Sequence, residues 1–251
     1  MAGVEGRVAL VTGAGRGIGR ETAELLASRG ASVMAVARTE NELKKTGLQY
    51  TVADLETDHG CEHAVTEAEA RLGPIEIFIC NHGIGSAHEQ VIWEQEAATW
   101  DETMRINLDG PFHLSRLIVK GMVERGYGRV VYTSSTAALV AEHAGSAYNA
   151  SKLGLIGLMR SVAQDGGAFN VTSNAVLPGW VRTEMAERSA RAEAEASGTT
   201  AEEVWKQRAA LYGPRRVATP REVAEMIAFL ASEESSGVSA QSIAVALGGL
   251  I

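Results

Sequence analysis

The chain is expected to form an α/β protein: one doubly wound parallel sheet of about seven strands, helices on both faces, in a single domain spanning residues 1–251. Three observations predict this. Strand-like runs alternate with helical patterns along the chain, as βαβ units feeding a parallel sheet do. The first such run ends in a glycine-rich turn that opens directly into a helix. A composition of 45% hydrophobic and 22% charged residues over 251 positions is that of a globular chain long enough to bury one large core.

The elements follow in order. Val8-Ala9-Leu10-Val11-Thr12 is apolar and β-branched, which reads as a buried strand. It enters Gly13-Ala14-Gly15-Arg16-Gly17-Ile18-Gly19, after which residues 17–29 carry Ala23, Leu25, Leu26 and Ala27 at helical spacing and stop at Gly30. Further strands are expected at 32–37, 49–53, 75–80, 129–134, 171–177 and 242–246, and further helices at 60–72, 99–124, 147–166 and 220–231. Between Arg38 and Asp54 there is room only for a stunted helix. Residues 184–216 break the alternation. Such a long excursion is usually functional; Arg191-Ala192-Glu193-Ala194-Glu195-Ala196 also fits an acidic solvated helix, whereas Trp205, Leu211 and Tyr212 do not.

The chemistry is carried by two places. A strand, glycine turn and helix aim helix N-terminal amides at a phosphate, and the glycines admit a pyrophosphate close to the backbone. The spacing Gly13-x-x-x-Gly17-x-Gly19 is neither the G-x-G-x-x-G fingerprint nor a P-loop. The second place is Tyr148-Asn149-Ala150-Ser151-Lys152, with Ser135 thirteen residues before the tyrosine. Positions i and i+4 share one helix face. Tyrosine ordinarily titrates near ~10, and drawing it to neutrality takes roughly 4 kcal/mol. An ammonium about 4 Å away at an effective dielectric near 20 supplies roughly that much. Alone, a Tyr-x-x-x-Lys pair also occurs on ordinary solvated helices.

Taken together these residues resemble the short-chain dehydrogenase/reductase family, in its common form of about 250 residues, end to end. Thr12-Gly13-x-x-x-Gly17-x-Gly19 resembles its glycine motif, Tyr148-x-x-x-Lys152 its catalytic motif, and Ser135 and Asn107 its two other catalytic residues. Pro178-Gly179-Trp180-Val181-Arg182-Thr183 resembles the loop that holds the nicotinamide end. The resemblance implies a Rossmann-like fold and hydride transfer between a nicotinamide and a ketone or secondary alcohol. Tyr148 would be the acid/base, Lys152 would lower its pKa and hold the nicotinamide ribose, Ser135 would bond the carbonyl oxygen, and Asn107 would position a proton-relaying water. It further implies cofactor contacts from Gly13, Arg16, Gly17, Ile18, Gly19, Asp54, Leu55, Asn81, Gly83, Tyr148, Lys152, Pro178, Gly179, Val181 and Thr183, a substrate lid at about 184–216, and a homotetramer or dimer through the helices that carry Asn107 and Tyr148.

The cofactor has a physical handle. Relatives that prefer NAD place an acid at the end of the second strand, to bond both ribose hydroxyls. Here that position is Ala37, followed by Arg38, and a guanidinium can grip a 2′-phosphate. NADP(H) is therefore expected over NAD(H), with Arg16 a second cation nearby. Two positions depart from the family pattern: His82 stands in Cys80-Asn81-His82-Gly83 where alanine is usual, and Leu247-Gly248-Gly249 lacks the usual acid.

Other classes are disfavoured. A net charge of −8 gives no footprint for nucleic acid. No apolar run approaches the ~18 residues that span a bilayer, and Met1 to Gly6 has no secretory pattern. Two cysteines, Cys61 and Cys80, suit a reducing, cytoplasmic setting. His59, Cys61 and His63 lack a fourth ligand, so no metal is expected. Ser135 and His143 have no hydrolase elbow around them. His88 reads as packing. A dinucleotide-binding sensor or scaffold would need only the glycine loop, not Asn107, Ser135, Tyr148 and Lys152 as well. Trp93, Trp100, Trp180, Trp205 and Tyr212 hint at an apolar or ring-bearing ketone. A 3-oxoacyl-thioester reductase is the second enzymatic reading.

Overall fold

A computed structural model describes residues 3–86 and 89–249, so His88 lies outside the described residues. The seven strands β1 (Val8–Thr12), β2 (Ser32–Ala37), β3 (Gln49–Val52), β4 (Ile77–Cys80), β5 (Gly128–Thr133), β6 (Val171–Pro178) and β7 (Ser242–Val245) form one sheet in the order β3-β2-β1-β4-β5-β6-β7. Every pairing is parallel. The chain reverses its direction of travel across the sheet between β1 and β4, and the C-terminal ends of those strands open a crevice.

The helices cover both faces. On one side α3 (Asp58–Leu72), α5 (Gly110–Arg125) and α6 (Ser146–Gly166) pack on Leu10, Phe78, Val130 and Leu177. On the other, α1 (Gly17–Ser28) and α9 (Pro220–Leu230) pack on Val11, Ile79, Val131 and Val176. Successive residues of the central strands alternate between these cores, which is why the strands read as continuous apolar runs. A capping box at Thr219 and Glu222, with Pro220 in the first turn, fixes where α9 begins. The stunted helix is α2 (Glu40–Lys44), five residues long.

Two expectations change. The helix expected over 99–124 is divided into α4 (Ala97–Met104) and α5 by a π-helical turn, Arg105–Asp109, in which Gly110 N–H donates to the Arg105 carbonyl five residues back. Pro111 has no N–H to give the Asn107 carbonyl four residues earlier, so the α-helical pattern is broken there. The excursion after β6 is a helical hairpin, α7 (Glu184–Ser197) and α8 (Ala201–Ala210). Residues 191–196 are exposed as expected, apart from Ala194. Ala186, Ala190 and Ala194 form a buried stripe at i, i+4 and i+8 that packs on Val204 and Trp205, while Glu187 and Glu193 between them accept from Trp205 and Arg208 on α8.

Candidate active site

The crevice is a cleft of about 580 Å³ bounded by the ends of the strands and by α7. At its base Gly13 and Gly17 adopt positive φ (65° and 56°), which a side chain would strain. A Cβ on Gly13 would come within 3.0 Å of the Asn81 amide and the His82 backbone, because Asn81 ties β4 to β1: its N–H donates to Thr12 Oγ1 (3.0 Å) and its Nδ2 to the Thr12 carbonyl (3.3 Å). Gly19 also touches Gly13 and Asn81 too closely for any side chain. Arg16 precedes α1 in an extended conformation and provides no side-chain cap, and the first turn carries no acid. The leading amides of α1, beside Ile18, are therefore directed at the cleft without a competing carboxylate of their own. These features fit a dinucleotide pyrophosphate.

At the adenosine end the expected residues come together with partners the sequence did not reveal. Arg38 follows Ala37 and donates to Glu56 at 2.8 Å, and Arg105 lies 3.6 Å from the same carboxylate. Arg16 lies 3.5 Å from both Glu42 and Glu184. Asp54 is exposed and Leu55 buried, both on the cleft wall after β3. His82 packs its Nδ1 on Thr12 Oγ1 at 2.8 Å, and burial holds it down to about 3, helped by Lys152 and Arg38. It is thus a neutral imidazole whose other nitrogen faces inward beside Gly110, away from a cofactor contact.

At the other end the four catalytic candidates converge. Asn107 is fully buried in the π-helical turn; its Oδ1 accepts from Ile84 N–H (2.8 Å), and its Nδ2 donates to the Ile84 carbonyl (3.0 Å) and Ser151 Oγ (3.1 Å). It therefore pins the loop after β4 to α6. Lys152 Nζ donates to the Thr133 carbonyl at 3.1 Å and lies 5.7 Å from the Tyr148 ring centre. A Cβ on Gly83 would press on both Asn107 Oδ1 (2.9 Å) and Lys152 Nζ (3.3 Å), which explains the glycine. Ser135 begins a short 3-10 turn at the end of β5, and its Oγ accepts from Ala137 N–H at 3.1 Å.

The electrostatics differ from the simple pair expected above. Burial pushes the Tyr148 phenol up to about 12, opposed by the facing Ser135 hydroxyl and reinforced by Glu142 and Glu89. Burial also draws Lys152 down to about 8. The ammonium stands on the Thr133 carbonyl rather than against the phenol oxygen, so in the free protein desolvation outweighs its attraction.

Pro178 closes β6, and the loop from Gly179 to Thr183 crosses to the glycine turn. Thr183 caps α7, accepting from Ala186 N–H at 3.2 Å, and its methyl would meet a Cβ on Gly17 at 3.3 Å. Val181 is buried and bridges to Ala218. Of the aromatic residues, Trp180 lines the cleft, with the Arg208 guanidinium stacked 3.6 Å over it. Trp205 belongs to the core between α7 and α8 and donates to Glu187, Trp93 is exposed, and the Tyr212 hydroxyl accepts from Trp180 N–H at 2.7 Å. Leu247 adopts φ 51° in the C-terminal turn where the usual acid is missing. Cys61 and His63 point to separate partners, Leu55 O and Thr51, and among the described residues no three His, Cys, Asp or Glu side chains are grouped as metal ligands.

Glu89 is a functional neighbour that sequence reasoning missed. The α6 helix has Gly145 as its own cap, with no side chain to offer, and Glu89 supplies one from 58 residues away: its two oxygens accept from Ala147 N–H (2.8 Å) and Tyr148 N–H (2.7 Å). No local spacing could signal this. Glu89→Ala is expected to lower stability by about 1–2 kcal/mol, the usual cost of losing a cap, read by urea unfolding. A change below about 0.3 kcal/mol would show that water replaces the carboxylate.

Fold and cleft together define a dinucleotide-dependent oxidoreductase. Residues 7–194 match the short chain dehydrogenase family. The chain is 31% identical to the 3-oxoacyl-[acyl-carrier-protein] reductase of Vibrio cholerae, with 96% of each chain covered. It superposes on levodione reductase with a TM-score of 0.93 at 30% identity, covering 98% of each. It superposes on a variant of the actinorhodin polyketide ketoreductase solved with NADPH with a TM-score of 0.92 at 31% identity, covering 97% of each. The chain belongs to the short-chain dehydrogenase/reductase family and is an NAD(P)-dependent oxidoreductase of ketones and alcohols. Among the described residues no helix is long and apolar enough to cross a membrane.

Proposed function

We propose that this protein reduces a ketone to a secondary alcohol with NADPH, and that Tyr148 donates the proton. The convergence of Tyr148, Ser135 and Lys152 on one end of a dinucleotide cleft, with Asn107 buried behind them, carries the reading. The cofactor supplies the hydride. A phenol that burial keeps protonated well past neutrality is a ready acid, and the Ser135 hydroxyl beside it stabilises charge developing on the carbonyl oxygen. Lys152 holds the nicotinamide ribose, and its ammonium, 5.7 Å from the Tyr148 ring centre, favours the phenolate when the reaction runs toward oxidation. Asn107 fixes the loop that forms the opposite wall and sets the path by which Lys152 exchanges protons with solvent. The contacts of the glycine turn, Asp54, Leu55, Asn81 and the Pro178–Thr183 loop belong to cofactor binding, and α7 with α8 to a lid over the substrate.

NADPH is favoured by Arg38 beside Ala37 and by the cofactor of the actinorhodin ketoreductase. A ring-bearing ketone is supported by levodione reductase and by Trp180 in the cleft wall, the other aromatic candidates lying elsewhere. The Vibrio relative supports a second reading, reduction of a 3-oxoacyl thioester. Following NADPH oxidation with cyclic ketones against acetoacetyl thioesters tests both. Preference for thioesters would replace the first reading with the second.

The protein is proposed to work in the cytoplasm as a tetramer or dimer. Phe112 on α5 and Leu153 on α6 are about half exposed (49% and 57%), an apolar face that a second copy would cover. Light scattering is expected to give at least twice the chain mass. A stable monomer at micromolar concentration would contradict this.

A further inference from the structure

We propose that Glu142 selects the substrate, and that it selects ketones bearing a hydroxyl group over apolar or anionic ketones of the same size. The inference rests on the carbonyl-reductase reading and names the substrate class for that site.

Two carboxylates adjoin Tyr148, and their circumstances differ. Both oxygens of Glu89 are taken by the amides of α6. Glu142 has, among the described residues, one side-chain partner: Ser86 Oγ donates to its Oε2 at 3.4 Å, the long limit of a hydrogen bond. Its Oε1 accepts from none of them. The residue is nevertheless fixed in place. Its backbone N–H donates to Asn149 Oδ1 (3.2 Å), and its carbonyl accepts from Asn149 Nδ2 (3.0 Å). Asn149 follows Tyr148 directly, so one side chain holds Glu142 in register with the acid/base.

The surroundings leave this carboxylate short of donors. Burial pushes it above the usual carboxylate range, with Ser86 and Arg208 pulling the other way. Arg208 is itself committed to Glu193, Ser189 and the Ala186 carbonyl. A partly buried carboxylate with unused acceptor capacity gains a bond when a hydroxyl enters. A methyl group there strips its water and returns nothing, and a second anion is repelled. Ser86, Trp180 and Ser189 line the same cleft and give it both hydroxyls and a ring face.

The test is steady-state kinetics with NADPH on three ketones of one shape: 4-hydroxycyclohexanone, 4-methylcyclohexanone and 4-oxocyclohexanecarboxylate. Wild type is expected to favour the hydroxyl compound over the methyl compound by about tenfold or more in kcat/KM, and to turn over the anion least. Glu142→Leu should bring the hydroxyl-to-methyl ratio to within about twofold of one. Glu142→Gln, which keeps an acceptor oxygen but no charge, should retain part of that ratio and raise the anion's share about tenfold. These ratios report selection, because a general loss of folding lowers all three rates together. A wild-type preference for the methyl compound, or ratios unchanged in both variants, overturns the role of Glu142 while leaving the reductase reading intact. Absence of turnover on every ketone overturns both.

Discussion

Tyr148→Phe is expected to abolish turnover, by about a thousandfold or more in kcat, while NADPH still binds within about twofold of the wild-type affinity. Only the phenolic oxygen is removed. The ring keeps its place in the cleft wall, and Glu89 continues to hold the backbone amide of residue 148. General acid catalysis contributes typically 10²–10⁴-fold, and phenylalanine offers no proton in its place. The pH dependence follows from the raised phenol. Held up to about 12, it is protonated throughout the neutral range, so reduction should be level from about pH 6 to 7 and fall as pH rises through about 8, where Lys152 loses its proton. Oxidation needs the phenolate, whose fraction grows about tenfold per pH unit below that value, so its kcat/KM should climb with pH. Substantial residual activity in the purified variant, or an oxidation rate flat with pH, would remove Tyr148 from the acid/base role. Lys152→Ala should lower both rate and cofactor affinity, because this side chain serves both.

Arg38→Ala is expected to weaken NADPH binding about tenfold and leave NADH nearly unchanged. A charge-assisted contact contributes about 1.5–3 kcal/mol, ten- to a hundredfold in affinity. The lower end applies because Arg38 is 60% exposed and already paired with Glu56. Two further variants separate this account from a loosely held surface charge. Ala37→Asp added to Arg38→Ala should shift preference to NADH, since the new carboxylate accepts from the ribose hydroxyls and repels a phosphate. Glu56→Gln should strengthen NADPH binding by releasing the guanidinium. Titration of both cofactors against these variants decides it: equal wild-type affinity for NADH and NADPH would make Arg38 a solvated charge and nothing more.

The strands were legible because a parallel sheet covered on both faces demands uninterrupted apolar runs, and the observed ends fall within two residues of those expected. The glycine turn was legible because positive φ at Gly13 and Gly17 leaves few alternatives. What the sequence hid is of one kind. Glu42, Glu56, Glu89 and Glu142 look like any surface acids in the chain. Each gains its meaning from a partner far away in sequence or from the cleft it faces: Arg16, Arg38, the α6 amides and the neighbourhood of Tyr148. The π-helical turn at Asn107 was equally hidden, since residues 99–124 keep a helical composition across it, and Pro111 was the one local sign of the break. In α7 residues 191–196 read as a solvated helix and are exposed apart from Ala194, but the i, i+4 spacing of Ala186, Ala190 and Ala194, which makes a packing stripe, went unread. The tryptophans misled because their sequence positions do not tell a cleft wall from a core or a surface: Trp205 fills the core between α7 and α8, Trp93 is exposed, and only Trp180 lines the cleft.

The central claim is hydride transfer to a carbonyl carbon in the cleft where Tyr148, Ser135, Lys152 and Asn107 meet. Its most direct test is the fate of a label: wild-type protein, a cyclic ketone, and NADPH carrying deuterium at C4 of the nicotinamide ring in place of either hydrogen. The account predicts a secondary alcohol with one deuterium on the carbinol carbon from one of the two labelled forms, and none from the other. NADPH consumed without alcohol, or alcohol free of label from both forms, would contradict it.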